Sequence, residues 1–199
     1  MDRSTRFLSL SGSSGIFAGA VAIAGAAAGR VHYAAIGSQD RIARLQEGGP
    51  AMLDPAYADH VGFLLADALV VLFVALLGAW WFTRRRAGRT GQSLWDASAR
   101  RLLINMAIPL ATGGLFSFAL FRHNDAFLVA PATLVFYGTA LLNASKYTLD
   151  EVRWLGAIEI ALGLIACYWP EAALLLWTIG FGLLHIVYGL LMYLRYERK

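Results

Sequence analysis

Long apolar stretches separated by short polar segments dominate the sequence. Four of them contain no Asp, Glu, Lys or Arg, namely residues 7–29, 102–121, 126–145 and 172–194. Two others are each interrupted by one acid, 61–83 by Asp67 and 154–169 by Glu159. Most of these stretches approach the ~20 residues with which an α-helix crosses a bilayer. The pattern predicts six transmembrane helices, over about residues 11–33, 58–83, 102–121, 125–145, 151–169 and 172–194.

The composition indicates the same class of protein. Of the 199 residues, 58% are hydrophobic and 15% are charged, whereas soluble domains average about 45–50% apolar and about 25% charged. Almost no chain remains for a soluble domain. We therefore predict an all-α, polytopic membrane protein with a single transmembrane domain, 1–199, whose surroundings are the lipid bilayer.

Basic residues predict the orientation of the helices. With the N-terminus inside, 13 of the 17 Lys and Arg fall in cytoplasmic segments, and only Arg30, Arg41, Arg44 and Arg122 fall outside. This is the positive-inside pattern, and it predicts three hairpins with both termini in the cytoplasm. We interpret the cluster "RRRAGR" at 84–89 as a topology anchor beside anionic head groups rather than a nucleic-acid site.

Small residues recur on one face of the first helix, at spacings of three and four: Gly12, Gly15, Gly19, Ala22, Ala26 and Gly29. Membrane helices associate by close packing, so such a face predicts the approach of another backbone. Arg3, Arg6 and the following apolar run also resemble a signal peptide. Because the stripe has the character of a packing surface, we expect the helix to be retained.

Two ionisable residues lie deep in apolar sequence. Glu159 shares a face of the fifth helix with Gly156, Gly163 and Cys167, and His185 shares a face of the sixth with Thr178, Gly182 and Gly189. Counted from the turn at Pro170, the two differ in depth by ~6 Å at 1.5 Å per residue. Such residues usually face the bundle interior and are paired. Either they form a structural pair that orients the helices, or they form a protonatable or ligand-binding site.

Further polar residues are weaker candidates. Asp67 lies nearer the outer surface on the second helix, and Asn105 and Thr112 share a face of the third helix beside Pro109, which interrupts the backbone hydrogen bonding. These side chains could line a cavity, although hydrogen bonding between helices is the simpler interpretation.

The residues exclude most cofactor chemistry and leave one open question about metals. Cys167 is the only cysteine, so an intrachain disulfide, a CxxC redox pair and a thiolate zinc cage are excluded. No phosphate loop, HExxH or GxSxG motif occurs, so we expect no enzyme activity and no cofactor. His32, His60 and His123 map to the outer helix ends and could bind zinc or copper, but their spacing matches no metal motif.

Several segments carry a resemblance to known families. "SGSSGIFAGAVAIAGA" (11–26), "NASKYTLDEVRWLG" (143–156), "EIALGLIA" (159–166) and "GFGLLHIVYGLLMY" (180–193) resemble a group of uncharacterised bacterial six-helix membrane proteins. Residues 161–192 are more distantly similar to a repeat hairpin of the acid-resistance membrane family, which is also built from three helical hairpins. The resemblance implies a bacterial cytoplasmic (inner) membrane. It supplies no catalytic residue.

Three functional hypotheses follow. The first is a small membrane protein that binds or translocates a small solute or proton through Glu159 and His185, for example in a stress response. The second is a non-catalytic structural or interaction module that forms a homo-oligomer or binds another membrane protein. The third is an electron carrier that uses a metal, haem or quinone.

Weak self-similarity among the three hairpins, such as glycine followed by basic residues at the inner ends of the even helices, is compatible with a repeat or with chance.

Overall fold

The computed structural model describes residues 12–36, 55–90, 95–123 and 125–198. These residues form six long helices and contain no strand. Five are α1, Gly12–Ile36; α2, Pro55–Thr90; α3, Ala97–Arg122; α4, Val129–Ala144; and α5, Asp150–Tyr168. The sixth, α6, alternates α-helical Ala173–Trp177 and His185–Met192 with π-helical Thr178–Leu184 and Tyr193–Glu197. Short 3-10 turns, Ala126–Leu128, Ser145–Tyr147 and Pro170–Ala172, precede α4, α5 and α6. The prediction of an all-α chain is confirmed.

Five of these helices are long and apolar enough to cross a membrane, which supports the predicted class. The exception is α5, which has 19 residues and carries four charged ones, Asp150, Glu151, Arg153 and Glu159. Its neighbours α4 and α6 are both among the five. The helix that is not among the five therefore packs against two that are.

Neighbouring helices follow one another in the order α2, α1, α6, α5, α4, α3, and α6 also touches α4. Each successive pair in this order is antiparallel. Phe17, near the start of α1, packs against Phe82 near the end of α2, and Gly15 packs against Gly189 near the end of α6. The starts of α1, α3 and α5 and the ends of α2, α4 and α6 consequently share one end of the bundle, which we call the base.

The contact between α1 and α6 depends on glycine. Gly12 and Gly15 face Gly189, and Gly19 faces Gly182. A Cβ atom built on Gly189 would stand 2.5 Å from both the Gly12 carbonyl oxygen and the Ile16 nitrogen. Farther along, Gly25 and Gly29 of α1 meet side chains of α2. The small-residue face of α1 therefore lies against two helices, α6 near the base and α2 farther from it.

A second glycine contact joins α4 to α5. A Cβ atom on Gly138 would lie 2.6 Å from the Gly156 carbonyl oxygen and 2.9 Å from the Ile160 nitrogen. Gly163 meets Pro131 and Leu134 in the same interface. These two helices belong to different predicted hairpins, so close packing extends across hairpins as well as within them.

Two carboxylates tie the end of α6 to other helices at the base. Glu197 accepts hydrogen bonds from the Gly12 nitrogen at the start of α1 and from Arg86 of α2, the latter at 2.9 Å. Glu151 at the start of α5 accepts from Arg195 at 2.7 Å and from the Tyr196 hydroxyl at 3.1 Å. Arg86, predicted only as part of a topology anchor, thus forms a half-buried ion pair within the bundle.

We expect Gly138→Ala to lower the free energy of unfolding by about 1–3 kcal/mol, the usual range for overpacking, because the new methyl group would meet backbone atoms of α5. The measurement is reversible unfolding in mixed detergent micelles. Gly114→Ala on α3 is the matched control, since no side chain and no backbone of another helix within the described residues lies within 4 Å of a Cβ atom built there. Equal losses in the two variants would contradict the packing role of Gly138.

A double-mutant cycle with Arg86→Gln and Glu197→Gln measures the ion pair at the base. Glutamine at 197 can still accept from the Gly12 nitrogen, so the cycle isolates the charge interaction. Because both side chains are largely buried, we expect a coupling of about 0.5 kcal/mol or more in the free energy of unfolding. Strict additivity of the two substitutions would show that the pair adds nothing to stability.

Candidate functional site

Glu159 is fully buried at the centre of the contact between α4, α5 and α6, with 0% of the residue exposed. It shares the buried face of α5 with Gly156 and Gly163. Leu134 of α4 and Gly180 of α6 lie beside its carboxyl group, and a Cβ atom on Gly180 would collide with Glu159 Oε2. The carboxyl group therefore fits because residue 180 has no side chain.

His185 lies next to this carboxyl group and is 7% exposed. Its Nδ1 atom is 3.5 Å from Glu159 Oε1 and 2.9 Å from the carbonyl oxygen of Gly180. Its Nε2 atom is 2.8 Å from the hydroxyl oxygen of Tyr137 on α4. The site is thus a group of three side chains, Glu159, His185 and Tyr137, contributed by three helices.

The hydrogen bonds identify the tautomer of a neutral His185. A carbonyl oxygen only accepts hydrogen bonds, so the contact with Gly180 requires the ring hydrogen to be on Nδ1. Nε2 is then the acceptor, and the Tyr137 hydroxyl donates to it. The Nδ1 hydrogen faces Gly180 and lies close to Glu159. A second proton could therefore be added only at Nε2, on the Tyr137 side.

The π-helical segment Thr178–Leu184 determines the position of His185. His185 immediately follows this segment, and its ring Nδ1 atom is hydrogen-bonded to the carbonyl oxygen of Gly180, five residues earlier. The backbone N–H of His185 bonds to the carbonyl oxygen of Gly182. The same segment places Gly180 against Glu159. Isolated π-helical turns occur frequently at functional sites.

Both carboxyl oxygens of Glu159 lack a hydrogen-bond partner within the described residues. The great majority of buried polar side-chain atoms have one, and leaving such an atom unsatisfied costs about 1–3 kcal/mol, more for a charged group. In these surroundings a negative charge on Glu159 has one neutralising neighbour, the imidazole of His185. A proton on the carboxyl group, or on the imidazole, removes the unbalanced charge.

Aromatic rings close the side of the site that faces away from the base. Phe181 lies 4.9 Å from Tyr137, 4.9 Å from Trp177 and 5.9 Å from His185, measured between ring centroids. Toward the base, the hydroxyl of Tyr188 is buried and has no hydrogen-bond partner among the described residues. The site therefore has an apolar side and a side that retains polar groups.

The other predicted polar candidates do not join this site. The Asp67 carboxylate on α2 faces Gly25 of α1. Asn105 donates to the Arg101 carbonyl at 2.8 Å and Thr112 donates to the Ile108 carbonyl at 2.9 Å, both within α3. Among the described residues, the hydrogen bonds of Asn105 and Thr112 therefore lie within α3 and not between helices, because each side chain has an acceptor one turn earlier in its own helix.

The outer histidines are also placed separately. His32 stacks on Phe63 with 3.9 Å between ring centroids, and its Nε2 atom is 3.8 Å from Asp59. His123 is exposed at the end of α3, and the side chain of His60 lies outside the described residues. Within the described ranges, no three His, Cys, Asp or Glu side chains form a group suited to a metal ion.

Sequence reasoning missed two members of the site, Tyr137 and Gly180. Tyr137 lies in the apolar stretch "LVFYGTALL" and precedes Gly138. A tyrosine hydroxyl in the middle of a membrane helix usually requires a hydrogen-bond partner, which was the available signal. Gly180 could not be distinguished by sequence from the other glycines of α6.

No protein-family model, no curated protein and no solved structure significantly matches this chain. The resemblance to bacterial six-helix membrane proteins and to the acid-resistance family therefore stays a prediction.

We expect nitrogen-15 NMR of histidine-labelled protein to show His185 protonated on Nδ1 and unprotonated on Nε2 when the ring is neutral. The resonances are assigned by their loss in His185→Gln. In Tyr137→Phe the Nε2 shift should move, because its donor has been removed. A ring protonated on Nε2 in the wild type would contradict the hydrogen-bond assignment.

Proposed function

We propose that this chain is a six-helix membrane protein that binds and translocates a small solute through Glu159 and His185. A proton is the solute that the geometry of the site supports best. One observation carries the proposal: a fully buried carboxyl group has no hydrogen-bond partner among the described residues and lies 3.5 Å from an imidazole nitrogen. A carboxyl group in this environment can exchange a proton with the imidazole. Imidazole in turn is suited to gaining and losing protons under physiological conditions.

The confined space around the carboxyl group favours a proton over an organic solute. Leu134 and Gly180 lie against Glu159, and even one added carbon atom at residue 180 would collide with the carboxyl oxygen. Leu134 is itself fully buried. A proton needs no additional volume, whereas a solute would require α4, α5 and α6 to separate.

A purely structural pair is less well supported by the geometry. Buried ion pairs offset the cost of desolvation only when their geometry is good and their remaining hydrogen-bonding positions are filled. Here the closest approach is 3.5 Å, and neither Glu159 oxygen has a partner among the described residues. Close glycine contacts already join α4 to α5 and α1 to α6, so those two interfaces do not depend on the pair.

The membrane orientation forms part of the proposal. Among the described residues, ten Lys and Arg lie at or near the base and two, Arg30 and Arg122, lie at the opposite end. The ten are Arg84, Arg85, Arg86, Arg89, Arg100, Arg101, Lys146, Arg153, Arg195 and Arg198. By the positive-inside rule the base faces the cytoplasm. We propose that α5 is the sixth span, because it is antiparallel to α4 and α6, which are both apolar enough to cross a membrane. We further propose that the protein lies in a bacterial inner membrane, as the sequence resemblance implies.

The test is proton flux in liposomes that contain purified protein and a trapped pH-sensitive dye, with the driving force set by a potassium gradient and valinomycin. We expect the wild type to exceed empty liposomes. Glu159→Gln should abolish the excess, because glutamine keeps the size of the side chain and cannot carry a proton. Its expression and thermal stability should be unchanged or higher, since no buried carboxyl group remains.

Glu171→Gln is the control, because Glu171 is an exposed acid in the turn before α6. It should transport protons as the wild type does. Wild-type liposomes that behave as empty ones, or equal flux with and without Glu159, would contradict proton translocation. Such a result, combined with loss of folding in Glu159→Gln, would favour the structural or interaction module.

A further inference from the structure

Tyr188 occupies the space between the candidate site and the base. It follows His185 by three residues, so the two lie on neighbouring parts of the same face of α6. Its ring packs against the buried cluster Leu141, Val152 and Leu155. Glu151, adjacent to Val152 in sequence, lies eight residues before Glu159, which corresponds to about 12 Å along α5. Tyr188 therefore lies at an intermediate level between Glu151 and Glu159.

Packing connects Tyr188 to both levels. Tyr137 of the site packs against the same buried cluster as Tyr188, and that cluster includes Val152, the residue after Glu151. Tyr137 in turn is hydrogen-bonded to His185 Nε2. The groups that face this region come from every helix around it: Tyr137 from α4, Glu151 and Glu159 from α5, and His185, Tyr188 and Tyr196 from α6.

The Tyr188 hydroxyl has no hydrogen-bond partner among the described residues although it is buried. A buried hydroxyl usually has at least one partner, and a polar group that lacks a fixed one can bind water that enters from outside. On the opposite side of the site, the rings of Phe181 and Trp177 lie 4.9 Å apart and are tilted relative to each other. On the side toward the base, the Tyr188 hydroxyl therefore offers a polar group next to the site.

We propose that protons reach Glu159 from the base through a relay in which Tyr188 passes them to Tyr137 and His185. The proposal rests on the proposed function and adds its route. Tyr188 accepts a proton from water at the Glu151 end and gives up its own hydroxyl proton toward Tyr137. Tyr137 likewise passes its hydroxyl proton to His185 Nε2.

The protonated His185 then gives its Nδ1 proton to the Glu159 carboxylate. The Nδ1 atom is 3.5 Å from Glu159 Oε1, so a shift of about 0.5 Å brings the two atoms to ordinary hydrogen-bond distance. One proton has entered at the base and one has been gained by Glu159. Each tyrosine recovers its starting composition, and His185 is left neutral with its proton on Nε2.

The experiment measures how fast the Glu159 carboxyl group exchanges its proton for a deuteron. Infrared spectra of the protein in lipid nanodiscs are recorded after transfer from H2O to D2O. The carbonyl band of the protonated Glu159 is identified by its absence in Glu159→Gln. We expect Tyr188→Phe to slow the isotope shift of this band by about tenfold or more, because a positioned proton-transfer group typically contributes about 100-fold or more.

Tyr188→Phe removes only a hydroxyl group that has no described hydrogen-bond partner, so it should fold with unchanged or slightly higher thermal stability. Tyr168→Phe is the matched control, because Tyr168 is exposed at the end of α5, and it should exchange at the wild-type rate. An unslowed isotope shift in Tyr188→Phe overturns the relay. If Glu159-dependent flux persists in liposomes at the same time, the proposed function stands and only its route is wrong. If no Glu159-dependent band exists, the relay is overturned together with the protonated state of the site.

Discussion

The fold depends on the approach of helix backbones to within contact of one another. Apolar side chains gain little from leaving hydrocarbon for a helix interface, so membrane helices associate through close packing and hydrogen bonds. In this chain the close packing is concentrated where glycines of α1 meet glycines of α6 and where Gly138 of α4 meets Gly156 of α5. A methyl group at most of these positions would strike backbone atoms, which cannot move independently of their helix.

The same close approach accounts for the character of the candidate site. Because α4, α5 and α6 are held together tightly, the carboxyl group of Glu159 is enclosed by Leu134, Gly180 and His185 with no donor hydrogen-bonded to it among the described residues. Burying an ionisable group in this way opposes stability. We base the proposal of a function for Glu159 on this buried carboxyl group, which lies in a bundle whose α4–α5 and α1–α6 interfaces are already joined by glycine contacts.

Helix α6 links the site to the rest of the molecule. Its π-helical segment Thr178–Leu184 carries Gly180 to Glu159 and positions His185, and its last segment, Tyr193–Glu197, is bonded at the base to α1, α2 and α5. A change in the register of α6 would therefore alter the contacts of His185 and of the base together. The proposed proton route runs along this helix, between the two π-helical segments.

The sequence by itself determined that the described part of the chain is all-α, that this part forms six long helices at nearly the predicted positions, and that Glu159 and His185 face the interior. These features follow from periodicity and polarity, which act locally along each helix. Even the pairing of Glu159 with His185 was accessible by counting residues from the turn at Pro170. That count predicted a depth difference of ~6 Å on the assumption of regular α-helices.

Only the tertiary structure decided how the site is completed. A π-helix advances less per residue than an α-helix, so Thr178–Leu184 shortens α6 and reduces the offset between His185 and Glu159. Tyr137 is part of the site because α4 packs beside α6. Arg86 forms an ion pair with Glu197 although 111 positions separate them in the sequence. Asn105 is the opposite case: its side chain was expected to hydrogen-bond to another helix, but it donates to the Arg101 carbonyl within α3. Contacts between distant segments depend on which helices become neighbours, and the local pattern of residues carries little information about that choice.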